Sequence, residues 1–472
     1  MHKSKLFTIY SHLPVWVQNT ACSIAGLGMR HKRYGKDFKN YLDFINKSQW
    51  WSLSDQEVYQ NEQVAKIIKH SYDTVPYYRK IMDSRKLSPS DIESVADLQK
   101  LPILTKQDVR SAGKELCSVA IPKSKWIHGH TGGTTGTSLQ LYSSSSTFQR
   151  QWAVWWRHRM RFGLSAKDEF IVFAGRDVIP LTTMDPPFWR KNIPMHQTYV
   201  SIHHMTKDNM GVLVEYLNTR NVKYYSGYPS AVYLVAKYIQ ENGIKLKTPP
   251  KVVVLGAETL LPHQRRAMKE AFGSVVTDQY GASENCGNIS ECECGRYHVD
   301  MEFGAIEFIP MKHVPTTTRR IVCTGFCNYV MPLIRYDIGD IATIPTSEIK
   351  CQCGRQAPTV ERIDGRIESY ILTPDGRQAG RLDFIFKNSA NIEEAQLVQT
   401  EIESVTVRIV RGPGYTENDE SDLLASLRKY LGNIIEIHVE YIDSIPREAN
   451  GKFRQIVSSI FKKEQEMQDF KS

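Results

Sequence analysis

Long hydrophobic runs are missing from this sequence. Nowhere do about 18 apolar residues follow one another without a charge, so a membrane-spanning helix is not expected. Residues 6–17 are the most apolar early stretch, but Ser11, His12 and Pro14 interrupt it and no convincing signal-peptide cleavage site follows. We therefore expect a cytoplasmic protein. We also expect residues 6–27 to pack on the protein's own body, with contact to a membrane surface as the alternative.

Long blocks of charge of one sign are missing too. The 60 Lys and Arg residues outnumber the 51 Asp and Glu residues for a net charge of +9, but they form no long basic block, so a nucleic-acid partner is not expected. With 24% charged and 41% hydrophobic residues, the composition is that of a folded protein. A chain of 472 residues is long enough for one large domain and a smaller one.

A closed set of disulfides is not expected, because the number of cysteines, nine, is odd. Seven of them fall between positions 286 and 353, where the pattern Cys-x-Cys-Gly-Arg occurs twice and a histidine follows its first copy. Thiolates and an imidazole suit tetrahedral zinc. The candidates for its four places are Cys292, Cys294, His298, Cys351 and Cys353. Four protein ligands would close the site, so we expect this zinc ion to be structural.

The order of apolar segments indicates an α/β fold. A helix is predicted over residues 58–71, followed by a turn through residues 72–78. Predicted strands, such as 252–256, then alternate with predicted helices, such as 262–272, which is typical of a sheet with helices on its faces. Beyond residue 369 the pattern predicts a compact α+β segment.

One glycine-rich segment suits the binding of phosphate. Residues 131–137 contain three glycines and four threonines, whose backbone N–H groups and hydroxyls can donate to phosphate oxygens. It is not a Walker P-loop, because no Gly-Lys-Ser/Thr closes it. A flexible hairpin loop is the alternative interpretation.

Three further segments carry residue types suited to a nucleotide. Residues 278–284 follow a predicted strand, and the carboxyl ends of strands are where α/β sheets bind ligands. Within them Tyr280 can cover a base, and Glu284 can reach a metal ion. Residues 335–340 end in an Asp that can accept hydrogen bonds from ribose hydroxyls, and residues 450–454 present a Lys after a glycine.

The order of these segments along the chain resembles the adenylate-forming superfamily. Within it the sequence is similar to the phenylacetate–CoA ligase-like branch, and specifically to the CapK-type proteins associated with capsular polysaccharide synthesis. The resemblance extends from about residue 60 to about residue 460. It implies a large N-terminal α/β domain, residues 1–366, that binds ATP and the acid. It also implies a small mobile C-terminal α+β domain, residues 367–472, joined at a hinge over residues 365–368.

The resemblance also implies a role for individual residues. The residues that would bind ATP are Thr131, Gly132, Gly133, Thr134, Thr135, Gly136, Thr137, Gly256, Ala257, Glu258, Gln279, Tyr280, Gly281, Asp340 and Arg366. Among them Tyr280 would stack on adenine, and Asp340, helped by Arg366, would bind the ribose. Glu284 would hold Mg²⁺, and Lys452 would bridge the carboxylate and the α-phosphate. For zinc, the resemblance favours Cys292, His298, Cys351 and Cys353, with Cys294 as the alternative to Cys292.

The activity implied is activation of a carboxylic acid by ATP and Mg²⁺ to an acyl-adenylate, followed by transfer of the acyl group. Coenzyme A is the first acceptor to consider, and a carrier thiol or an amino sugar is the alternative. The acid is expected between residues 226–230 and residues 281–285. Two other hypotheses stay open: adenylyl transfer to a cofactor without a thiol acceptor, and an inactive zinc-stabilised scaffold in a polysaccharide-assembly complex.

Overall fold

A computed structural model describes most of the chain. The described residues are 9–130, 139–176, 178–180, 183–311, 315–347, 349–366, 371–374, 378–379, 391–412, 414–447 and 453–460. The predicted phosphate loop, residues 131–137, and Lys452 lie outside them.

The described helices lie mostly in the first 300 residues. They are α1 Val15–Arg33, α2 Lys36–Ser48, α3 Leu53–Thr74, α4 Pro76–Ser84, α5 Lys106–Ala112, α6 Ser145–Arg161, α7 Lys207–Asn218, α8 Pro229–Glu241, α9 Pro262–Phe272 and α10 Glu417–Leu431.

The described strands begin after residue 126. They are β1 Ile127–His130, β2 Gln140–Ser143, β3 Phe170–Ala174, β4 Trp189–Asn192, β5 Gln197–Ser201, β6 Tyr224–Gly227, β7 Val252–Gly256, β8 Val275–Gly281, β9 Asn288–Glu291, β10 Tyr297–Val299, β11 Gly304–Pro310, β12 Thr318–Gly325, β13 Tyr336–Thr343, β14 Thr359–Val360, β15 Arg362–Arg366, β16 Ile371–Leu372, β17 Gln378–Ala379, β18 Ile392–Gln399, β19 Ser404–Arg411, β20 Glu436–Tyr441 and β21 Ile456–Ser458.

Local sequence signals account for where several helices begin. Ser52 caps α3 by accepting a hydrogen bond from a first-turn backbone N–H, and Ser144 does the same for α6. The turn predicted over residues 72–78 is wrong, because α3 continues to Thr74 and α4 begins at Pro76. A proline is compatible with the first position of a helix, where no N–H is needed, so only Val75 separates the two helices.

The chain divides into two compact units. The larger consists of Met1–Glu307, Val322–Ile338 and Pro345–Glu361, and the smaller of Phe308–Ile321, Gly339–Ile344 and Arg362–Ser472. A separate four-stranded sheet has the order β11-β12-β13-β15. The domain boundary predicted at residue 366, and the movement of the C-terminal domain about it, stay predictions.

A nine-stranded sheet forms the centre of the larger unit, in the order β14-β10-β9-β8-β7-β6-β3-β5-β4. Neighbouring strands from β8 to β5 run parallel, and those outside this stretch pair antiparallel. Helices α7, α8 and α9 bury apolar residues such as Leu217, Val235 and Met268 in a cluster with Tyr225 and Val253 of the strands. Because β8, β7, β6, β3 and β5 run parallel, their carboxyl ends lie along the same edge of the sheet.

The smaller unit has its own sheet and core. Its four strands follow the order β20-β19-β18-β21, and α10 buries Leu423 and Leu427 in a cluster with Leu397 and Val407. The predicted fold class is therefore confirmed: a large α/β body is followed by a small α+β domain. In the described part of the chain, every helix is too short or too polar to cross a lipid bilayer.

Candidate nucleotide edge and metal centre

The pairing of β7 with β8 brings two predicted ATP-binding segments together. The strands run parallel, and Gly256 lies opposite Gln279. A Cβ atom on Gly256 would lie 2.8 Å from the carbonyl oxygen of Gln279, so only glycine allows this approach. Residues 256–258 and 279–281 consequently reach the same edge of the sheet.

The carboxylate of Glu258 caps the start of helix α8. Its Oε2 accepts a hydrogen bond from the backbone N–H of Ser230, 3.0 Å away, in the first turn of α8. An anionic side chain is favourable there because the first N–H groups of a helix lack partners within it. Ala257 before it has a positive φ of 70°. The structure thus shows how this predicted adenine segment is held; its contact with a base stays a prediction.

Tyr280 and Gly281 end strand β8. Tyr280 is half-buried. A Cβ on Gly281 would lie 2.7 Å from Oδ1 of Asn288 and 3.3 Å from the indole nitrogen of Trp155. The glycine therefore permits close packing against β9 and α6 immediately beside the tyrosine.

Glu284 lies just beyond this strand and is buried, with 6% of its surface exposed. The hydroxyl of Tyr336 donates a hydrogen bond to its Oε1 over 3.3 Å. A buried acidic side chain needs such a donor or a cation. Tyr336 lies in the segment 335–340 that the sequence analysis singled out, but it received no role there. The sequence does not reveal its contact with Glu284, because the two positions are 52 residues apart.

A second carboxylate, Asp278, lies within β8 and is held by hydrogen bonds to nearby strands. The Tyr297 hydroxyl donates to its Oδ2 over 2.9 Å, and its own N–H donates to Glu291 over 2.7 Å. Burial, and secondarily the charge of Glu291, raise the pKa of Asp278 to about 6. Arg265 pairs with Glu291 at 3.0 Å and balances part of this charge. These four residues therefore have a structural role: they hold β8 in place next to the residues predicted to bind the nucleotide.

In the smaller unit the structure brings Asp340 and Arg366 together. They are paired across β13 and β15, and Nε of Arg366 lies 3.0 Å from Oδ1 of Asp340. Asp340 is buried, whereas the Arg366 side chain keeps 39% of its surface exposed. The two residues predicted to share the ribose are thus neighbours, and that role stays a prediction.

The four cysteine and histidine residues that the resemblance favoured are neighbours in the larger unit. The ligand atoms of Cys292, His298, Cys351 and Cys353 all lie within 4.8 Å of one another. The Cys292 and Cys351 sulfurs are 3.6 Å apart, and the Cys353 sulfur is 3.4 Å from Nε2 of His298. A tetrahedral zinc ion with bonds of about 2.3 Å to sulfur requires separations of about 3.5–3.8 Å. The residues therefore fit zinc.

The repeated pattern Cys-x-Cys-Gly-Arg makes two similar turns. The N–H of Gly295 donates to the carbonyl of Cys292, and the N–H of Gly354 donates to that of Cys351. Both glycines have a positive φ, 76° and 83°, that other residues rarely adopt. The first turn thus contributes Cys292 and the second contributes Cys351 and Cys353 to the same group of ligand atoms.

His298 is oriented for a metal by its other ring nitrogen. Nδ1 lies 3.0 Å from the Ala357 carbonyl oxygen, which can only accept, so Nδ1 carries the proton and Nε2 offers its lone pair toward the thiols. Burial lowers the pKa of His298 to about 4. Burial also raises the pKa of the Cys292 thiol to about 12, so that ionising it needs a cation nearby. These features agree with a Cys₃His metal site.

Cys294 is close to Cys351 but is not among the four residues whose ligand atoms lie together. It lies on the exposed side of the first turn, whereas the Cys292 side chain is 1% exposed. The structure therefore favours Cys292 as the ligand in this turn.

A buried ion network lies next to the metal centre. Arg157 on α6 is 2% exposed and pairs with Asp300 at 2.6 Å and Glu302 at 2.8 Å. Ser48 donates to Glu302, and Arg161 approaches Asp300 at 3.5 Å. Several of these residues line a small cavity with His298. Sequence reasoning missed the network, because its members are single charged residues scattered over distant segments.

Comparison with known proteins finds similarity to CapK and to coenzyme A ligases. Residues 371–459 match the family described as the CapK C-terminal domain. The chain is 26% identical over 462 residues to protein CapK of Staphylococcus aureus, covering 96% of this chain and 99% of that protein. It is 21% identical over 435 residues to phenylacetate-coenzyme A ligase of Aromatoleum evansii, covering 86% and 95%.

Solved structures agree on the fold. A 2-hydroxyisobutyryl-CoA ligase in the postadenylation state superposes with a TM-score of 0.67 at 16% identity, covering 90% of this chain and 94% of that one. The same enzyme with its adenylate and CoA, in the thioesterification state, gives a TM-score of 0.52 at 17% identity. The chain is a CapK homologue, related to the phenylacetate-coenzyme A ligases, with the fold of an adenylate-forming ligase, as the sequence predicted.

Proposed function

We propose that this protein uses ATP and Mg²⁺ to convert a carboxylic acid into an acyl-adenylate and then transfers the acyl group to an acceptor. The observation that carries the proposal is the shared edge of β7 and β8. Gly256 and Gln279 lie opposite each other there, and the buried Glu284 follows a few residues later. A nucleotide at this edge would meet backbone groups, an aromatic ring and a carboxylate able to hold its metal ion.

Each residue has a distinct task in this proposal. Tyr280 stacks on adenine, Glu284 holds Mg²⁺ at the phosphates, and Asp340 with Arg366 binds the ribose. Lys452 neutralises the reacting carboxylate and α-phosphate. The phosphate tail is held by Thr131, Gly132, Gly133, Thr134, Thr135, Gly136 and Thr137.

The chemistry explains why these residue types are needed. A carboxylate oxygen attacks the α-phosphorus and pyrophosphate leaves, so that two anions must approach each other. Cations and backbone donors stabilise that charge without a covalent bond to the protein. Glu284 would hold Mg²⁺, which would supply positive charge for the leaving pyrophosphate.

For the acceptor we propose coenzyme A first. The relatives named phenylacetate-coenzyme A ligase support this choice, as does the fold shared with a ligase solved with CoA. A carrier thiol or an amino sugar is the alternative, because the chain is similar to CapK over 96% of its length and the CapK-type resemblance of the sequence implies surface polysaccharide synthesis. The cytoplasm supplies ATP and CoA, and we place the reaction there.

We further propose that Cys292, His298, Cys351 and Cys353 hold a structural zinc ion. With four protein ligands no position is left for substrate or water, so zinc would fix the two Cys-x-Cys-Gly-Arg turns to β10.

The first test is carboxylate-dependent exchange of pyrophosphate into ATP, with pooled aromatic, fatty, amino and sugar acids. We expect exchange with one pool, and a loss of at least about 100-fold in Glu284→Gln and Lys452→Ala. Glu62→Gln is the matched control, because Glu62 is exposed in a surface pair with Lys66.

Two results would contradict the proposal. Full exchange in Glu284→Gln would remove the metal-binding role from that residue. A lack of exchange with every pool, in protein that binds ATP, would favour the scaffold hypothesis. Release of AMP that depends on CoA, on a carrier thiol or on an amino sugar then identifies the acceptor, and a stable adenylate with none of them favours adenylyl transfer.

A further inference from the structure

Helix α1 docks on the larger unit through its polar residues. Gln18 and Arg33 are 3% and 4% exposed. Gln18 accepts a hydrogen bond from Nε of Arg190 over 2.6 Å, and the Arg33 guanidinium lies 3.8 Å from the centre of the Trp152 ring. Gly26 abuts the Asn192 side chain so closely that no Cβ would fit. This polar face holds the helix in place.

The opposite face is apolar and exposed. Trp16, Ile24 and Leu27 keep 71%, 65% and 58% of their surfaces exposed. At 3.6 residues per turn these three side chains fall within an arc of about 80°, which also includes the exposed Thr20 and His31. We refer to Trp16, Ile24 and Leu27 as the apolar stripe.

This arrangement is the reverse of an ordinary surface helix, whose apolar side faces the core. Packing within the larger unit explains the polar face and leaves the stripe unexplained. Isolated exposed apolar residues are common, but a large aromatic and two aliphatic residues in one row mark a surface that contacts something else.

The charged residues of the N-terminal segment are all basic. Residues 1–36 contain six Lys or Arg and no Asp or Glu, although the whole chain carries a net charge of only +9. Arg30, His31 and Lys32 are exposed in the last turn of α1. The neighbouring Lys191 is exposed too, and its N–H donates to the Asn19 side chain of α1 over 2.8 Å.

We propose that this face of α1 binds the surface of an anionic lipid membrane. A helix that lies in the interface buries one apolar side among the acyl chains and keeps basic residues at the headgroups, and a tryptophan suits that boundary. The basic flanks of the stripe complement anionic headgroups. This inference goes beyond the proposed ligase activity and would place that activity beside membrane-bound acceptors.

The test is flotation of the full-length protein with vesicles of phosphatidylglycerol and phosphatidylcholine, without ATP or acid. We expect binding to vesicles rich in phosphatidylglycerol, weakened by salt, and little binding to pure phosphatidylcholine. The triple variant Trp16→Ser, Ile24→Ser, Leu27→Ser should bind about ten-fold more weakly or worse. The control triple variant Val58→Ser, Val119→Ser, Ile434→Ser removes exposed apolar residues elsewhere and should bind normally.

A second variant keeps the stripe intact. Lys32→Glu with Lys36→Glu reverses two exposed charges and should weaken binding to phosphatidylglycerol alone, with an unchanged circular dichroism spectrum. In the wild-type protein, anionic vesicles should shift tryptophan fluorescence to shorter wavelength, and Trp16→Phe should remove that shift.

Three results would overturn the inference. The first is equal vesicle binding by the stripe variant and the wild-type protein. The second is equal binding to both lipids at all salt concentrations. The third is a wild-type dimer in light scattering that the stripe variant dissociates, because the stripe would then be a contact between two copies of this chain. Since ATP is absent, a negative result leaves the exchange assay unaffected.

Discussion

Replacing Cys292 with serine is expected to remove the metal ion and destabilise the larger unit, whereas replacing Cys294 is expected to do neither. Both cysteines lie in the same turn and undergo the same chemical change. Cys292 is buried, and its sulfur lies 3.6 Å from the sulfur of Cys351, whereas Cys294 is exposed. The pair therefore separates loss of a ligand from loss of a thiol.

The size of the effect follows from the chain length that the metal ion closes. Cys292 and Cys351 are 59 positions apart. A cross-link that closes a loop of that length stabilises the folded state by about 4 kcal/mol in the chain-entropy description. In a unit of about 340 residues, this free energy corresponds to a shift in melting temperature of about 6 °C.

The assay combines metal analysis with thermal denaturation of each variant. We expect one zinc ion per chain in the wild-type protein and Cys294→Ser, and none in Cys292→Ser. A strong chelator should lower the melting temperature of the wild-type protein to that of Cys292→Ser, and should leave Cys292→Ser unchanged. Zinc retained by Cys292→Ser and lost from Cys294→Ser would refute the ligand assignment, and wild-type protein without metal would refute the site.

Two buried ionisable residues, Arg157 and Asp278, lead to further predictions about stability. Arg157→Met should lower the free energy of unfolding by about 3–5 kcal/mol in urea denaturation, because it leaves Asp300 and Glu302 buried without their main cation. Asp278 binds its proton more tightly when folded, with a pKa of about 6 against 3.8, so its contribution to stability is complete below about pH 4 and is lost as the pH rises through 6. Asp278→Asn should therefore be about 2–3 kcal/mol more stable than the wild-type protein at pH 8 and equally stable at pH 4; an equal gain at both pH values would contradict this.

The sequence was most informative where one residue type permits one local conformation. The glycines of the two Cys-x-Cys-Gly-Arg turns and Gly256 at the end of β7 occupy positions where a side chain would be strained or would clash. The repeated Cys-x-Cys-Gly-Arg pattern therefore marked the candidate metal centre, and the resemblance marked Gly256 at the end of β7. The metal-binding and nucleotide-binding roles stay predictions. The choice between Cys292 and Cys294 depends on which side of the turn each thiol faces, and spacing does not contain that information.

Contacts between distant segments were beyond prediction. Tyr336 reaches Glu284 across 52 positions, and Arg157 reaches Glu302 across 145. No periodicity links such residues. The N-terminal element does pack on the body of the larger unit as expected, but through its polar residues. An apolar pattern on a helix alone does not tell whether the apolar side faces inward.

The metal centre and the predicted nucleotide edge share one row of paired residues across the large sheet. Thr359 pairs with His298, His298 with Ser290, Ser290 with Gln279, and Gln279 with Gly256. The outer strands in this row are short: β14, β10 and β9 have only 2, 3 and 4 residues. Such strands form few ladder hydrogen bonds, so a link between β10 and the turn at Cys351 would add to the constraints on their register. A metal ion held by His298 together with Cys292, Cys351 and Cys353 would supply such a link.

Loss of the metal should therefore weaken ATP binding, although no metal ligand belongs to the predicted nucleotide edge. A one-residue slip of β9 on β8 would turn Gln279 and its neighbours toward different partners, and the loop with Glu284 would move with them. Equilibrium dialysis of ATP, well below the melting temperature, should show weaker binding by Cys292→Ser and by chelated wild-type protein, and normal binding by Cys294→Ser. Equal ATP affinity in all four samples would show that the metal centre stabilises its own turns and leaves the position of β8 unchanged.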